Sequence, residues 1–497
     1  SSRRRARCAA TWLRPRQQPL MEPTLAAFVR LSLPVSCAHV CMVLLQLTDL
    51  AVVGRLLGAE QLAAVCLVLV VVNLTLEPAS FITANALTTL CGDSLSSQNV
   101  AQIGVSVRAA VLFCLLLTLP IGGLLLATPA LLSLLTVSQN DVLAHAAEYA
   151  PAYVLVITPA LLLSVLLGFL RAHGRLRSTG LVCSLAVVIN AVNLVGSVSS
   201  VPTFGVRGSA LCTAAVRFLL FLSLAVLHRP LLVTQGVWPG APGATTQSSA
   251  VLSVFRLYVA SLLPATLRFG VAQLLTLLAL RLGSTPVEAA CIFLSALILD
   301  VGYSLCVGIQ QANLKLTARY LSGQRAAAAR RAMRLAGLLL VLLAAAVGLA
   351  CWMLRSTLGA LFCDDPVVAR GLEALSWYVA PMLLLKSASG LYGQFLAVSG
   401  RGTLATLILL VVHWCIGLPA TYLWAARVGG GVVALMQAHT VAWLAATVTF
   451  GVCYLRSSTN AGPAPGSLPA TTGDVLVAGP ATHPLGVPLL RRDSGPA

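Results

Sequence analysis

The sequence predicts an all-α polytopic membrane protein with twelve transmembrane helices. Of its 497 residues, 58% are hydrophobic and 9% are charged, and the mean hydropathy is +0.92. Soluble chains carry about 25% charged residues, so a water-soluble fold could not bury this much apolar side chain. Lipid must therefore surround most of the chain. In hydrocarbon the backbone has to satisfy its own hydrogen bonds, which favours helices.

Stretches of about 20 apolar residues are long enough to cross about 30 Å of hydrocarbon as helices. We number the predicted spans 1 to 12 in chain order: 31–53, 62–84, 105–127, 150–170, 179–200, 206–227, 256–280, 287–311, 335–354, 375–398, 403–424 and 431–454. Several contain Pro, and such breaks survive in a membrane only where protein or a water-filled cavity satisfies the freed backbone.

The spans divide the chain into five predicted segments. A basic cytosolic segment precedes an N-terminal lobe of six spans, a polar cytosolic loop connects it to a C-terminal lobe of six spans, and a Pro/Gly/Ser/Thr/Ala-rich tail is predicted to be disordered. Their bounds are 1–30, 31–228, 229–255, 256–455 and 456–497.

The net charge of +18 is a signal of membrane topology. Sorted by loop, most of the 32 basic residues fall on the side of the N-terminus, so both termini are predicted to be cytosolic. This distribution argues against a nucleic-acid partner. It suits a multi-pass protein of the plasma membrane or an organellar membrane. The Arg-rich first residues are interpreted as a cytosolic flank, with a transit peptide as the alternative.

The two halves, of roughly 200 residues each, resemble one another weakly, as in the parallel repeats of secondary transporters. Span 1 begins with Ser32-Leu-Pro34 and span 7 with Leu262-Leu-Pro264. Two further pairs of similar segments follow in the same order in the two halves. In such proteins the substrate lies between the repeats near the membrane midplane.

No enzyme motif is present in the sequence. It contains no Walker Gly-x-x-x-x-Gly-Lys, no His-Glu-x-x-His and no Gly-x-Ser-x-Gly. The 14 cysteines include no Cys-x-x-Cys pair and mostly lie in apolar runs, which is typical of packing residues. We therefore expect no enzyme activity, no metal and no cofactor, and a driving force supplied by an ion gradient.

Four segments carry a family resemblance. They are Gln46-Leu-Thr-Asp-Leu-Ala-Val-Val-Gly54, Ala86-Leu-Thr-Thr-Leu-Cys-Gly92, Gly205-x-x-Gly-Ser-Ala-Leu-x-Thr213 and Gly308-Ile-Gln-Gln-Ala312 with the residues that follow. In combination, over about residues 31–455, the chain resembles eukaryotic multidrug and toxic compound extrusion (MATE) transporters. The resemblance implies two six-helix lobes forming a V, and cation-driven export of organic, usually cationic, solutes.

Charged side chains inside membrane spans are costly, so each needs a partner or a function. The sequence suggests five at depth: Asp49, Glu77, Arg268, Asp300 and Lys386.

Asp49 is the strongest candidate for ion coupling. Gln46 lies three residues before it on the same helix face. A carboxylate buried away from water is harder to ionise, which suits proton loading and release. The resemblance implies a cation site of a helix-1 Asp, a helix-5 Asn and Asp, and a helix-6 Thr. Asp49, Asn190 and Thr213 match, but Leu194 stands at the second acid, which favours a proton over sodium. The alternative is a buried Asp49 that only fixes helix packing.

Glu77 is either a second carboxylate of the same cavity or a structural residue near the membrane edge. In the C-terminal lobe the resemblance implies acids that bind cationic substrates. Lys386 and Gln273 stand at or near those positions. A lysine there repels cations, so we expect a neutral or anionic substrate. The alternative is a salt bridge of Asp300 with Arg268 or Lys386.

The sequence thus predicts a proton-coupled antiporter that exports small organic solutes or xenobiotics, with Asp49 as the coupling carboxylate. The alternative is a flippase for a lipid-linked polar head group, for which Arg268 and Lys386 would bind phosphate. The expected partners are a small-molecule substrate, protons and membrane lipid, and the expected state is a monomer.

Overall fold

The structure, a computed structural model, describes residues 24–96, 99–134, 140–173, 179–237, 248–322 and 325–459. Residues 1–23 of the predicted basic segment and nearly all of the predicted tail lie outside these ranges. Within these ranges 94% of the residues are helical and none lie in strands, and twelve of the described helices are long and apolar enough to cross a membrane. The predicted fold class is confirmed.

Eight helices make up the N-terminal part of the chain. They are α1 (Leu25–Leu57), α2 (Ala59–Ser96), α3 (Val100–Leu126), α4 (Thr128–Ser133), α5 (Asn140–Ala172), α6 (Thr179–Phe204), α7 (Val206–Leu227) and α8 (Arg229–Thr234). The six long ones correspond to predicted spans 1 to 6 and form the N-terminal lobe.

The C-terminal lobe contains the other six membrane-spanning helices. Its elements are α9 (Ser248–Arg281), α10 (Pro286–Ser322), α11 (Ala326–Met353), α12 (Arg355–Phe362), α13 (Pro366–Val398), α14 (Gly402–Ile408), a π-helical stretch (Leu409–Gly417), α15 (Leu418–Val428) and α16 (Gly431–Thr459). The stretch from α14 to α15 forms a single span, which the sequence predicts as an uninterrupted helix.

Helix ends follow local capping chemistry, and most helices extend beyond the predicted spans. The Thr285 hydroxyl accepts from the Glu288 amide, and the Glu288 carboxylate accepts from the Thr285 amide, a capping box that begins α10. Asp365 caps α13, with Pro366 at its first position. Hydropathy detects only the apolar part of each helix, so α2 runs on through polar residues to Ser96 and α9 begins inside the predicted loop.

The two lobes contact each other mainly through α1 against α10 and α2 against α9. On the first surface the Ser36 hydroxyl donates to the Leu305 carbonyl at 2.8 Å. Gly308 allows this approach, because a Cβ there would overlap the Ser32 carbonyl oxygen and the Ser36 hydroxyl. Near the other end of α1, Arg55 donates to Asp364 at 2.7 Å. The lobes are therefore joined at both ends of α1.

Substitution of Gly308 by alanine is expected to weaken the contact between the lobes. The added methyl group has to displace the backbone of α1, and overpacking of this kind costs about 1–3 kcal/mol. The measurement is the melting temperature of the purified protein in detergent. Gly92→Ala is the matched control, since nothing lies within 4 Å of a Cβ built at Gly92. Equal melting temperatures for the two variants would show that the close approach at Gly308 is unimportant.

Candidate functional site

Asp49 lies in α1 and is buried, with 4% of its surface exposed. Its Oδ1 accepts hydrogen bonds from Asn193 Nδ2 at 2.8 Å and from Ser197 Oγ at 3.0 Å, both on α6. Its Oδ2 accepts a hydrogen bond from the Thr213 hydroxyl on α7. Donors to a buried carboxylate offset the loss of its hydration. The four side chains form the Asp49 site, which ties three helices together.

Close packing of α6 and α7 brings the three donors together. Asn193 and Ser197 are four residues apart and so lie on one face of α6. Gly208 of α7 lies directly against the backbone of Ser200, where a Cβ would overlap the carbonyl oxygen. The Gly-Ser-Ala-Leu segment of span 6 therefore has a packing role, because it places Thr213 one helical turn further on at the carboxylate.

The prediction that Asn190 contacts Asp49 is wrong, because the asparagine of α6 that reaches the carboxylate is Asn193, three residues further on. Asn190 donates to the carbonyl of Cys41, two turns before Asp49 along α1, at 2.9 Å. The spacing implied by the resemblance, an asparagine followed four residues later by an acid, instead fits Asn193 and Ser197. A serine therefore stands at the position of the second acid. Leu194 is 45% exposed and is not part of the site.

Gln46 is half-buried, and none of the hydrogen bonds found in the described residues joins it to Asp49. Its predicted place in the site has no direct contact to support it. The reason is that Gln46 lies nearly a full turn away along α1, while the carboxylate oxygens are already occupied by donors from α6 and α7.

A sixth charge lies at depth, contrary to the five that the sequence suggested. Arg217, in the middle of α7, is 8% exposed, and its Nη2 lies 3.9 Å from Glu77 Oε1 on α2. Glu77, half-exposed, is thus ion-paired to a residue one turn from Thr213. Arg217 also lies within electrostatic range of Asp49. The signal was available in the sequence, because Thr213 and Arg217 are four residues apart in a span otherwise free of charge after Arg207.

Truncation of Asn193 should be more damaging than truncation of Asn190. Asn193→Ala removes a donor from a buried carboxylate, a loss of about 1.5–3 kcal/mol for a hydrogen bond to a charged group. Asn190→Ala removes a hydrogen bond to a neutral carbonyl, which contributes about 0.5–1.5 kcal/mol. Melting temperatures and transport rates of the two variants provide the comparison. A larger effect of Asn190→Ala would contradict the register described above.

In the C-terminal lobe the alternative of a salt bridge is realised, with Lys386 as the partner. Lys386 Nζ on α13 donates to Asp300 Oδ1 on α10 at 2.7 Å. The ammonium also lies 4.6 Å from the ring centre of Tyr303, one turn further along α10. The two charged side chains are 20% and 38% exposed. Charges at this depth face a bundle interior or water and not lipid, so the pair borders an accessible space.

Arg268 and Gln273 of α9 extend this polar region. Arg268 donates to the Tyr303 hydroxyl at 3.0 Å and lies 5.7 Å from the ring centre of Phe81, which belongs to the N-terminal lobe. Gln273 is 7% exposed, and its side-chain oxygen has no hydrogen-bond partner in the described part of the chain. Two cations and one carboxylate therefore surround Tyr303. No group of three or more potential metal ligands occurs among the described residues.

Curated proteins with similar sequences are extrusion transporters. The chain is 25% identical over 423 residues to multidrug and toxin extrusion protein 2 of Mus musculus, covering 84% of this chain and 72% of that protein. It is also 25% identical over 412 residues to multidrug and toxin extrusion protein 1 of Xenopus tropicalis, covering 80% and 69%. A family model described as MatE matches residues 34–195.

Solved structures share the fold. An inward-facing MATE transporter of the MOP superfamily superimposes with a TM-score of 0.73 at 17% identity, covering 88% of this chain and all of the other. A eukaryotic MATE transporter gives 0.70 at 18% identity, covering 88% and 97%. A MOP superfamily transporter from Pyrococcus furiosus, described as having a binding pocket of reversed polarity, gives 0.68 at 18% identity, covering 88% and 97%.

Twelve helices long and apolar enough to cross a membrane, with a buried carboxylate in one lobe and a charge pair in the other, define a polytopic membrane protein. The described residues contain no cluster of His, Cys, Asp and Glu side chains of the kind that binds a catalytic metal ion. The sequence relatives and the shared fold point to one class: the chain is similar to MATE transporters in sequence and in fold. Its relatives are not enzymes, which confirms the prediction that this protein is not one.

Proposed function

We propose that the protein is a secondary antiporter that exports small organic solutes or xenobiotics in exchange for protons, with Asp49 as the coupling carboxylate. The observation that carries the proposal is the Asp49 site, in which one buried carboxylate accepts hydrogen bonds from two other helices. No nucleotide-binding motif is present in the sequence, so an ion gradient has to supply the energy.

A proton on Asp49 would change how three helices are joined. The ionised carboxylate only accepts hydrogen bonds, whereas the protonated acid carries a donor and has less capacity to accept. At least one of the bonds from Asn193, Ser197 or Thr213 must then weaken or reverse direction. Protonation therefore gives α1 a different preferred packing against α6 and α7. A ligand that binds two conformations with different affinity shifts their populations, which is what alternating access requires.

Proteoliposomes distinguish proton from sodium coupling. The protein is reconstituted into vesicles with an imposed pH gradient or an imposed sodium gradient, and accumulation of radiolabelled p-aminohippurate and tetraethylammonium is followed. We expect accumulation of a probe to follow the pH gradient and to stop when a protonophore collapses it. Accumulation that follows the sodium gradient while the pH gradient is collapsed would overturn proton coupling.

We propose further that the substrate is neutral or anionic. Lys386 and Arg268 face the same tyrosine, and Asp300 neutralises only one of them. The region consequently carries a net positive charge, which attracts anions and repels organic cations. A structural neighbour from Pyrococcus furiosus is described as having a binding pocket of reversed polarity, so pockets of different charge occur within this fold.

The flippase alternative requires a continuous basic lining. Asp49 and Glu77 in the N-terminal lobe and Asp300 in the C-terminal lobe interrupt the positive charges, so the distribution of charge supports antiport. A monomer in the plasma membrane or an organellar membrane, with both termini in the cytosol, completes the proposal. Cysteine labelling at the predicted loops from the two sides of the membrane would test this orientation.

A further inference from the structure

We infer that Arg217 is a selectivity residue: its fixed positive charge excludes sodium from the Asp49 site, so that this site accepts only a proton. The inference rests on the proposed function, in which Asp49 couples transport to a cation. It concerns a residue whose charge is buried and which the coupling scheme above does not use.

Arg217 acts on Asp49 through the electric field of its guanidinium group and not through a hydrogen bond or ion-pair contact. It lies on α7 one turn beyond Thr213, whose hydroxyl is bonded to Asp49. Only 8% of the residue is exposed, and its Nε has no hydrogen-bond partner within the described residues. Around the guanidinium are Asp49 on α1, Glu77 on α2, and the buried Tyr149 and Tyr153 on α5. Glu77 is the only one of these in ion-pair contact, at 3.9 Å.

The chemistry of the Asp49 site would otherwise suit sodium. Hard cations prefer oxygen ligands, and oxygens are available on Asp49, Asn193, Ser197 and Thr213. The Asp49 site differs from a sodium site in its net charge. Ser197 occupies the position of a second acid, so the site offers one negative charge, while Arg217 adds a permanent positive charge nearby. Inside a protein the repulsion between like charges is poorly screened.

The repulsion costs a proton and a sodium ion about the same free energy, because each adds one positive charge, but the two differ in the attraction that opposes it. The proton forms a covalent O–H bond with Asp49 and needs no further ligands, whereas sodium is held only by charge and by several oxygens at once. The same loss of affinity therefore leaves sodium, which the site holds weakly, unbound, whereas the covalent bond to the proton is strong enough to persist. Glu77 does not cancel the charge of Arg217 at Asp49, because the Glu77 side chain is 41% exposed and screened by solvent whereas the Arg217 side chain is 10% exposed.

The test measures binding of radioactive sodium to the purified full-length protein in detergent at pH 8, with choline replacing sodium at constant ionic strength. We expect no saturable binding to the wild type and millimolar binding to Arg217→Gln, with at least a tenfold gain in affinity. Asp49→Asn in the Arg217→Gln background should remove this binding. Arg207→Gln is the matched control, because Arg207 lies on the same helix, is exposed and faces Glu148 at 3.9 Å.

A second variant keeps the test independent of the folding of Arg217→Gln. Ser197→Asp supplies the second negative charge while Arg217 remains, and sodium binding to it is expected. If Arg217→Gln elutes as a folded monomer and binds no sodium, the inference is overturned while proton coupling stands. The inference is also overturned if Arg217→Lys, which keeps the positive charge, binds sodium as well as Arg217→Gln does, or if Ser197→Asp binds no sodium. Sodium binding to the wild type that is lost in Asp49→Asn would overturn both the inference and proton coupling.

Discussion

Replacement of Asp49 by asparagine is expected to abolish transport driven by a pH gradient while the protein stays folded. The amide has nearly the shape of the carboxylate, but it cannot gain or lose a proton. Asn193, Ser197 and Thr213 can re-form hydrogen bonds with it, because both hydroxyls can act as donor or acceptor. A positioned acid–base group typically contributes about 100-fold or more to the step it serves, and we expect a loss of transport rate of that size.

The measurement is uptake of radiolabelled p-aminohippurate into proteoliposomes at matched protein density. Asp141→Asn is the matched control, because it makes the same chemical change at an exposed residue in the first turn of α5. The control should transport at nearly the wild-type rate. Uptake by Asp49→Asn that still follows the pH gradient would show that the coupling proton binds elsewhere.

Replacement of Lys386 by glutamine should remove the preference of the C-terminal lobe for anions. The change removes the cation and leaves Asp300 without its partner. A charge-assisted hydrogen bond contributes about 1.5–3 kcal/mol, so affinity for p-aminohippurate should fall about 10- to 100-fold. Affinity for tetraethylammonium should rise, because Arg268 and Asp300 then balance and the net positive charge that repels a cation is gone.

Binding of the two probes to purified protein, measured by calorimetry, provides the comparison. Lys315→Gln is the matched control, since Lys315 is the only other lysine and is exposed towards the end of α10. Asp300→Asn should act in the opposite direction to Lys386→Gln. Tight binding of tetraethylammonium to the wild type that remains unchanged in Lys386→Ala would contradict an anionic or neutral substrate.

The fold could be predicted from the sequence because the signal is strong and local. About 20 apolar residues in a row have one stable arrangement in lipid, and twelve such runs determine the class of fold. The ends of the helices were less predictable. Polar turns at the membrane surface remain helical through capping contacts, such as that of Thr285 with Glu288, which hydropathy does not detect.

The candidate site was predictable in its centre and less so around it. Asp49 and Thr213 were found because a charge in a span is rare and because two motifs resemble those of the family. Asn193 and Asn190 could not be separated by sequence, since both are amides on one face of span 5 and only the stagger between α1 and α6 decides which one reaches Asp49. Arg217 carries a sequence signal of its own, because it lies at the centre of its span and four residues after Thr213.

The contact between Arg268 and Phe81 ties the charge of one lobe to the position of the other. Arg268 contacts one residue of each lobe. Tyr303 belongs to the same C-terminal lobe as Arg268, whereas Phe81 belongs to the N-terminal lobe. Rocking of the lobes that opens the surface between α2 and α9 must withdraw the aromatic face from the guanidinium and leave it more free to bind an anion. The affinity for an anionic substrate would then vary with the stage of the transport cycle, although the residues that line the site stay the same.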